Sequence, residues 1–160
     1  MLPPFQAVLD EHRADVYRYL AASVGPADAE DCFQETCLAA LRAYPRLRHA
    51  DHLRAWLFRI AQRKAVDVHR ARTRGELPSD ELPERGVDDA ALDQGWLFEQ
   101  VRLLPDKQRA AVVLRCVLDA PYAELARVLH CSEPAARRSV HEGLTRLREG
   151  ADLWTTSSTS

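Results

Sequence analysis

No stretch of about 18 consecutive apolar residues occurs, so no bilayer-spanning helix is expected. The start, Met1-Leu2-Pro3-Pro4, has neither a basic n-region nor an apolar core. No secretory leader is therefore expected, and a cytoplasmic location follows. Cysteine is sparse. Cys32, Cys37, Cys116 and Cys131 form no CxxC pair, and in a reducing compartment isolated cysteines at helix-core spacing pack as small hydrophobes. A redox pair of Cys116 and Cys131 is the alternative. His130 beside Cys131 follows no ligand-spacing rule, so no metal is expected. The sequence has no HExxH, no GxxxxGK[ST] and no GxSxG. Its six histidines lie scattered, without carboxylate partners at useful spacing. No catalytic residue and no cofactor are assigned, and the chain is not expected to be an enzyme.

What is present is segregated charge. The 160 residues carry a net charge of only -2. From Asp51 to Arg74, however, seven basic residues stand against two acidic ones, a net +5. From Gly75 to Asp93 seven acids stand against Arg85 alone, a net -6. A basic helix followed by an acidic tether produces local fields aimed at different targets.

Apolar residues recur at three- and four-residue steps through Phe5, Val8, Leu9, His12, Val16, Tyr19 and Leu20, which predicts a helix over 5–24 ended by Gly25-Pro26. A second helix is predicted from about Ala29 to Tyr44, with Asp28 as N-cap. Its core face takes Ala29, Cys32, Phe33, Cys37, Ala40, Leu41 and Tyr44. Asp31, Gln34, Glu35, Leu38 and Arg42 line another face, one apolar anchor inside a polar rim. A third helix is predicted from Asp51 to Thr73, with Leu53, Trp56, Leu57, Ile60, Ala61 and Val68 pointing one way. Arg59, Arg63, Arg70 and Arg74 are four, seven and four residues apart and align in one stripe. Like charges so spaced repel one another, and phosphates relieve the repulsion. Trp56 and Phe58 lie among these arginines, a mixture that suits unstacked bases, although the apolar side favours Trp56 as core.

The segment from Gly75 to about Asp93 holds Pro78, Pro83 and Gly86 and is read as an unpacked linker. Fully extended, it would reach about 60 Å. Beyond it, Trp96, Leu97, Val101 and Leu104 suggest a helix ending at Pro105. A helix from Lys107 to Leu118 follows, then a short one from Tyr122 to Leu129, and a last one capped by Ser132 that runs to about Glu149. The Ser/Thr-rich tail from Trp154 is expected to fray.

The sharpest local signal is Tyr122-Ala-Glu-Leu-Ala-Arg-Val-Leu-His-Cys-Ser-Glu-Pro-Ala-Ala-Arg-Arg-Ser-Val-His, which has the layout of a helix-turn-helix. Small Ala126 permits close helix approach, and a short turn sets the crossing. Arg137, Arg138 and His141 then project from the first turns of the second helix, where side chains meet base edges and phosphates.

Three stretches in order carry a family resemblance. Asp28-Ala-Glu-Asp-Cys-Phe-Gln-Glu-Thr-Cys-Leu-Ala-Ala-Leu resembles the region 2 helix of extracytoplasmic-function sigma factors, of the sigma-70 family. Leu53-Arg-Ala-Trp-Leu-Phe-Arg-Ile-Ala-Gln-Arg-Lys-Ala-Val-Asp-Val-His-Arg is similar to the promoter-melting helix that follows it. Leu104-Pro-Asp-Lys-Gln-Arg-Ala-Ala-Val-Val-Leu-Arg, with the helix-turn-helix, resembles region 4. The resemblance implies an all-α chain of two small helical domains, a region 2 bundle over 1–74 and a region 4 helix-turn-helix over 95–150. A flexible acidic linker over 75–94 would join them, and 151–160 would form a disordered tail.

By resemblance, Asp31, Gln34, Glu35 and Leu38 would dock on the β′ clamp helices of the RNA polymerase core. The loop from Leu47 to His52 would capture bases of the downstream promoter element. Arg59, Arg63, Lys64, Arg70 and Arg74 would hold phosphates. Region 4 would sit on the β flap and place Arg137, Arg138 and His141 on the upstream element. An anti-sigma factor is an implied partner, and membrane insertion is not. Departures from the family pattern fall at Arg63, at His130 where glycine is usual, at Glu142 and at Gly143. A mid-helix glycine costs about 1 kcal/mol against alanine, and Glu142 would repel phosphates. Altered upstream-element binding is therefore expected. A degenerate sigma-like protein, or a stand-alone helix-turn-helix regulator, is the alternative.

Overall fold

In the computed structural model the backbone is described over residues 1–75 and 89–157, and side chains over 1–75 and 95–153. The described residues form helices and connecting turns with no strand. The helices are α1 (Phe5–Val24), α2 (Pro26–Ala43), α3 (Leu53–Thr73), α4 (Asp89–Arg102), α5 (Asp106–Val112), α6 (Tyr122–Leu129) and α7 (Glu133–Ser157). Most of the expected linker, residues 76–88, lies outside the described residues. Helix α4 nonetheless begins at Asp89 rather than near Gly95. Ala90, Ala91 and Leu92 are strong helix formers, which outweighs the acidic composition that suggested a linker.

Gly25 divides α1 from α2 with φ 89°, and Pro26 occupies the first turn of α2, where its missing N–H costs nothing. Asp28 therefore sits inside the helix rather than capping it, and its carboxylate pairs with Arg72 on α3. Pro45 tightens the end of α2 into a short 3₁₀ turn, Tyr44–Arg46. Helices α1, α2 and α3 bury a common core in which Tyr19, Leu20, Leu57 and Phe58 are almost wholly enclosed. Tyr19 and Phe58 meet edge-on with ring centroids 5.6 Å apart. Each such side chain contributes about 1.5–3 kcal/mol through burial alone. Trp56 is half-buried and lies 5.9 Å from the Tyr44 ring.

The predicted helix over 107–118 is α-helical only to Val112 and widens into a π turn at Val113–Val117. The Leu118 N–H reaches the Val113 carbonyl across five residues, and Asp119 follows in the left-handed region at φ 52°. This wide turn packs on α1, where Arg18 Nη2 donates to the Val117 carbonyl at 3.0 Å.

The two halves of the chain share one core: α1 also packs on α4, and α3 packs on α6. Arg54 on α3 joins them, donating to Asp15 on α1 at 2.5 Å and to Glu124 on α6 at 2.9 Å. Buried Arg109 donates to the carbonyls of Arg102 and Leu104 and to Asp106, so one guanidinium closes the α4–α5 turn. A side chain at Gly25 would run into the Arg102 guanidinium, which seats the end of α4 on the α1–α2 turn. A fully extended linker would let the halves stand apart, but they are docked on one another. Helix α7 also continues past the predicted end at Glu149 as far as Ser157. Gly150 lies opposite Gln100 and Trp96 of α4, so packing supports the added turns.

Candidate functional site

Three surfaces carry the residues singled out in the sequence. On α2, Asp31, Gln34, Glu35 and Leu38 are all exposed on one side. Leu38 is 46% exposed. Leu41, assigned to the core by periodicity, is 52% exposed and stands one turn further along. The apolar anchor is thus two leucines inside an acidic rim. The three-residue step from Leu38 to Leu41 was the available signal.

On α3, Arg59, Arg63, Arg70 and Arg74 lie along one face over about 22 Å of helix. Arg63, Arg70 and Arg74 are exposed; Arg59 and Lys64 are half-buried. Burial, with help from the neighbouring Arg63, lowers the pKa of Arg59 from its ordinary value. Its Nε is buried and makes no hydrogen bond. The loop over residues 47–52 leads into this helix, and His52 enters it in the left-handed region at φ 60°. No residue pattern around His52 marks that turn.

The third surface is the helix-turn-helix. Ser132 caps α7, its Oγ accepting from the Ala135 N–H at 3.2 Å. His130 ends α6 at φ 52°, ψ 50°, the conformation for which glycine is the usual residue. Arg137, Arg138 and His141 are exposed on α7. Arg138 and His141 project freely, whereas the Arg137 guanidinium stacks 4.1 Å from the Tyr122 centroid. Arg115 occupies the same ring at 4.6 Å. Gly143 does not belong to this surface. It is buried against α5, where an added Cβ would stand 2.6 Å from Val112 Cγ2. It is a packing glycine, so the expected effect of Gly143 on upstream-element binding has no geometric basis. Glu142 is exposed and accepts a long hydrogen bond from Gln108 at 3.4 Å.

The cysteines divide. Cys32 is buried, and its thiol is pushed up to about 12, chiefly by burial. Cys116 is exposed rather than packed, contrary to expectation, and its pKa is still raised. Among the described residues no group of three His, Cys, Asp or Glu side chains is placed to hold a metal, and no helix is long and apolar enough to cross a membrane.

An all-helical chain with an acidic and apolar face, an arginine stripe behind a polar loop, and a helix-turn-helix has the makeup of a transcription factor that contacts both protein and DNA. Residues 8–75 match the Sigma-70 region 2 family and residues 94–147 match Sigma-70, region 4. The chain belongs to the extracytoplasmic-function sigma factors of the sigma-70 family. It is 35% identical to the ECF RNA polymerase sigma factor SigD of Mycobacterium tuberculosis, over 89% of this chain and 74% of that protein. It is 36% identical to the ECF RNA polymerase sigma factor ShbA of Streptomyces griseus, over 79% and 75%. In fold it is similar to CnrH in complex with the cytosolic domain of CnrY, with a TM-score of 0.71 at 23% identity, covering 93% of this chain and 88% of that one. RpoE of Bartonella quintana, in complex with the anti-sigma factor NepR, gives a TM-score of 0.71 at 21% identity, covering 91% and 94%.

Proposed function

We propose that this chain directs bacterial RNA polymerase to particular promoters and opens them there, performing no chemistry of its own. The observation that carries the reading is the order of surfaces along one chain: a leucine-centred acidic face, a polar loop with an arginine stripe, then a helix-turn-helix. Residues 1–74 serve as the polymerase-binding and melting unit and residues 95–150 as the upstream-element unit. Asp31, Gln34, Glu35 and Leu38, with Leu41 beside them, dock on the β′ clamp helices. The acidic rim steers the encounter and the leucines supply the buried contact. The loop over 47–52 holds flipped bases of the downstream element while Arg59, Arg63, Lys64, Arg70 and Arg74 grip the strand's phosphates.

Arg138 and His141 read the upstream element, and Arg137 joins them by leaving Tyr122. Neither DNA contact needs high affinity alone, because polymerase fixes both units and makes the second contact local. Melting is driven by trapping unpaired bases, with no nucleotide hydrolysis by this chain. The protein works in the bacterial cytoplasm, and an anti-sigma factor restrains it; the structure of the similarly folded RpoE with the anti-sigma factor NepR supports that partner class.

The docking step is tested by co-purification with core polymerase. Leu38→Ala combined with Leu41→Ala is expected to weaken core binding about tenfold or more, a loss typical of anchors at the centre of an interface. Unchanged core binding by that variant would remove the assigned face.

A further inference from the structure

Three arginines of this chain converge on one place without an acidic partner. Between the loop over 47–52 and α3 on one side, and the end of α6 with its turn on the other, lies a cleft of about 660 Å³. Arg48 and Arg59 line it from the first half of the chain and Arg127 from the second. Asp51 is its single acidic lining residue. Ion pairs among the described residues engage Arg13, Arg18, Arg54, Arg72, Arg109 and Arg115, and leave these three without one. Water satisfies Arg48 and Arg127, which are exposed. It does not satisfy the buried Nε of Arg59. A buried donor with no acceptor costs free energy until an acceptor arrives.

Two further observations mark the same cleft. His52 and His130, on its two sides, hold φ of 60° and 52°, conformations that non-glycine residues adopt at a cost. Such residues gather at ligand clamps and switch regions. Trp56, half-buried, lines the same wall as Arg59.

The walls are held together from outside the cleft. Arg54 bridges Asp15 and Glu124, and none of the three lines it. The cleft therefore exists only while the two halves are docked.

We propose that the two halves build between them a binding site for a phosphorylated small molecule of nucleotide size, and that its occupancy holds the chain in this closed arrangement. Guanidinium forks match phosphate oxygens, and clefts of about 300–1,000 Å³ are the size that takes ligands of this class. Both halves supply cations, so a ligand that binds the closed arrangement better must shift the chain toward it. The regulatory consequence rests on the sigma-factor reading. Arg59 and the loop over 47–52 are the groups proposed to meet the promoter strand, so ligand and strand compete for them.

The test uses the full chain without polymerase, at about 0.15 M salt so that loose surface attraction is screened. ATP and inorganic tripolyphosphate are titrated by calorimetry, and the distance between the halves is followed by fluorescence energy transfer. Saturable binding of both is expected, with ATP the tighter through Trp56 and with the halves drawn together. Arg127→Gln, an exposed change outside the residues proposed for DNA, is expected to weaken binding about tenfold.

Glu124→Arg breaks the Arg54 bridge and adds positive charge without touching the cleft. It is expected to abolish nucleotide binding while tightening a single-stranded oligonucleotide, because the loop and Arg59 are released. A merely basic surface would respond to the added charge by binding both more tightly. The proposal is overturned if neither anion binds saturably, if Arg127→Gln binds like the parent, or if Glu124→Arg retains nucleotide affinity. Should Glu124→Arg not fold, Arg127→Gln decides. A chain that binds ATP in this way but supports no transcription refutes the sigma-factor reading and leaves the site standing.

Discussion

Gly143→Ala sets local propensity against packing, and the two disagree in sign. In a helix interior, alanine is favoured over glycine by about 1 kcal/mol, so the sequence alone predicts stabilisation. In the folded chain the new methyl would lie 2.6 Å from Val112 Cγ2 and 3.4 Å from the Gln108 carbonyl oxygen. Val112 is a buried, stiff β-branched side chain on α5 and cannot swing aside. Either α7 or α5 must move, and overpacking of this kind costs about 1–3 kcal/mol. The balance is a net loss of about 1 kcal/mol, or a fall in Tm of about 2–4 °C for a chain of this size. Thermal unfolding by circular dichroism reads the single variants and their combination. In a Val112→Ala background the methyl has room, and Gly143→Ala is expected to stabilise by about 1 kcal/mol, so the two changes couple by about 2 kcal/mol. A rise in Tm from Gly143→Ala in the otherwise unchanged chain refutes the packing argument.

Other expectations follow from single residues. His130→Gly relieves the left-handed strain at the end of α6, against a larger unfolded-state entropy, and is expected to raise stability by about 0.5–1 kcal/mol in denaturant titration; a loss of stability contradicts it. Burial, with Arg109 and Arg102 nearby, lowers the pKa of His69 below its ordinary 6.5, while a hydrogen bond with the Ser23 carbonyl opposes the shift. The unfolded chain thus takes up this proton first, so stability is lost as pH falls below about 6.5. His69→Gln is expected to flatten that stretch of the stability profile, and an unaltered slope contradicts the assignment. Glu142→Arg replaces an anion with a cation on the face shared with Arg138. It is expected to tighten duplex binding by the full chain and steepen its salt dependence by about one phosphate contact; unchanged affinity removes Glu142 from the interface.

Much of this was legible locally. Helix α1, the short α6 and the Ser132 cap follow from periodicity and end signals, and the two exposed faces of α2 and α3 from residue spacing. What escaped depends on distant partners. Leu41 has the spacing of a core residue, yet nothing in the described residues covers it. Gly143 reads as a weak helix position until Val112 is found against it. Asp28 reads as a cap until Pro26 takes the first turn and Arg72 takes its carboxylate. The π turn at 113–117 has no composition signal, because its setting is its own packing against α1, far away in sequence. The docking of the two halves is the largest omission. Arg54 and Glu124 are 70 residues apart, and no period or motif joins them.

The most direct test of the central claim is transcription in vitro from genomic fragments, with purified core polymerase in the presence and absence of this chain. The account predicts defined start sites that appear only when the chain is added and that weaken when Arg63 and Arg70 are replaced by glutamine. Core polymerase that binds the chain yet starts at no new position would contradict it.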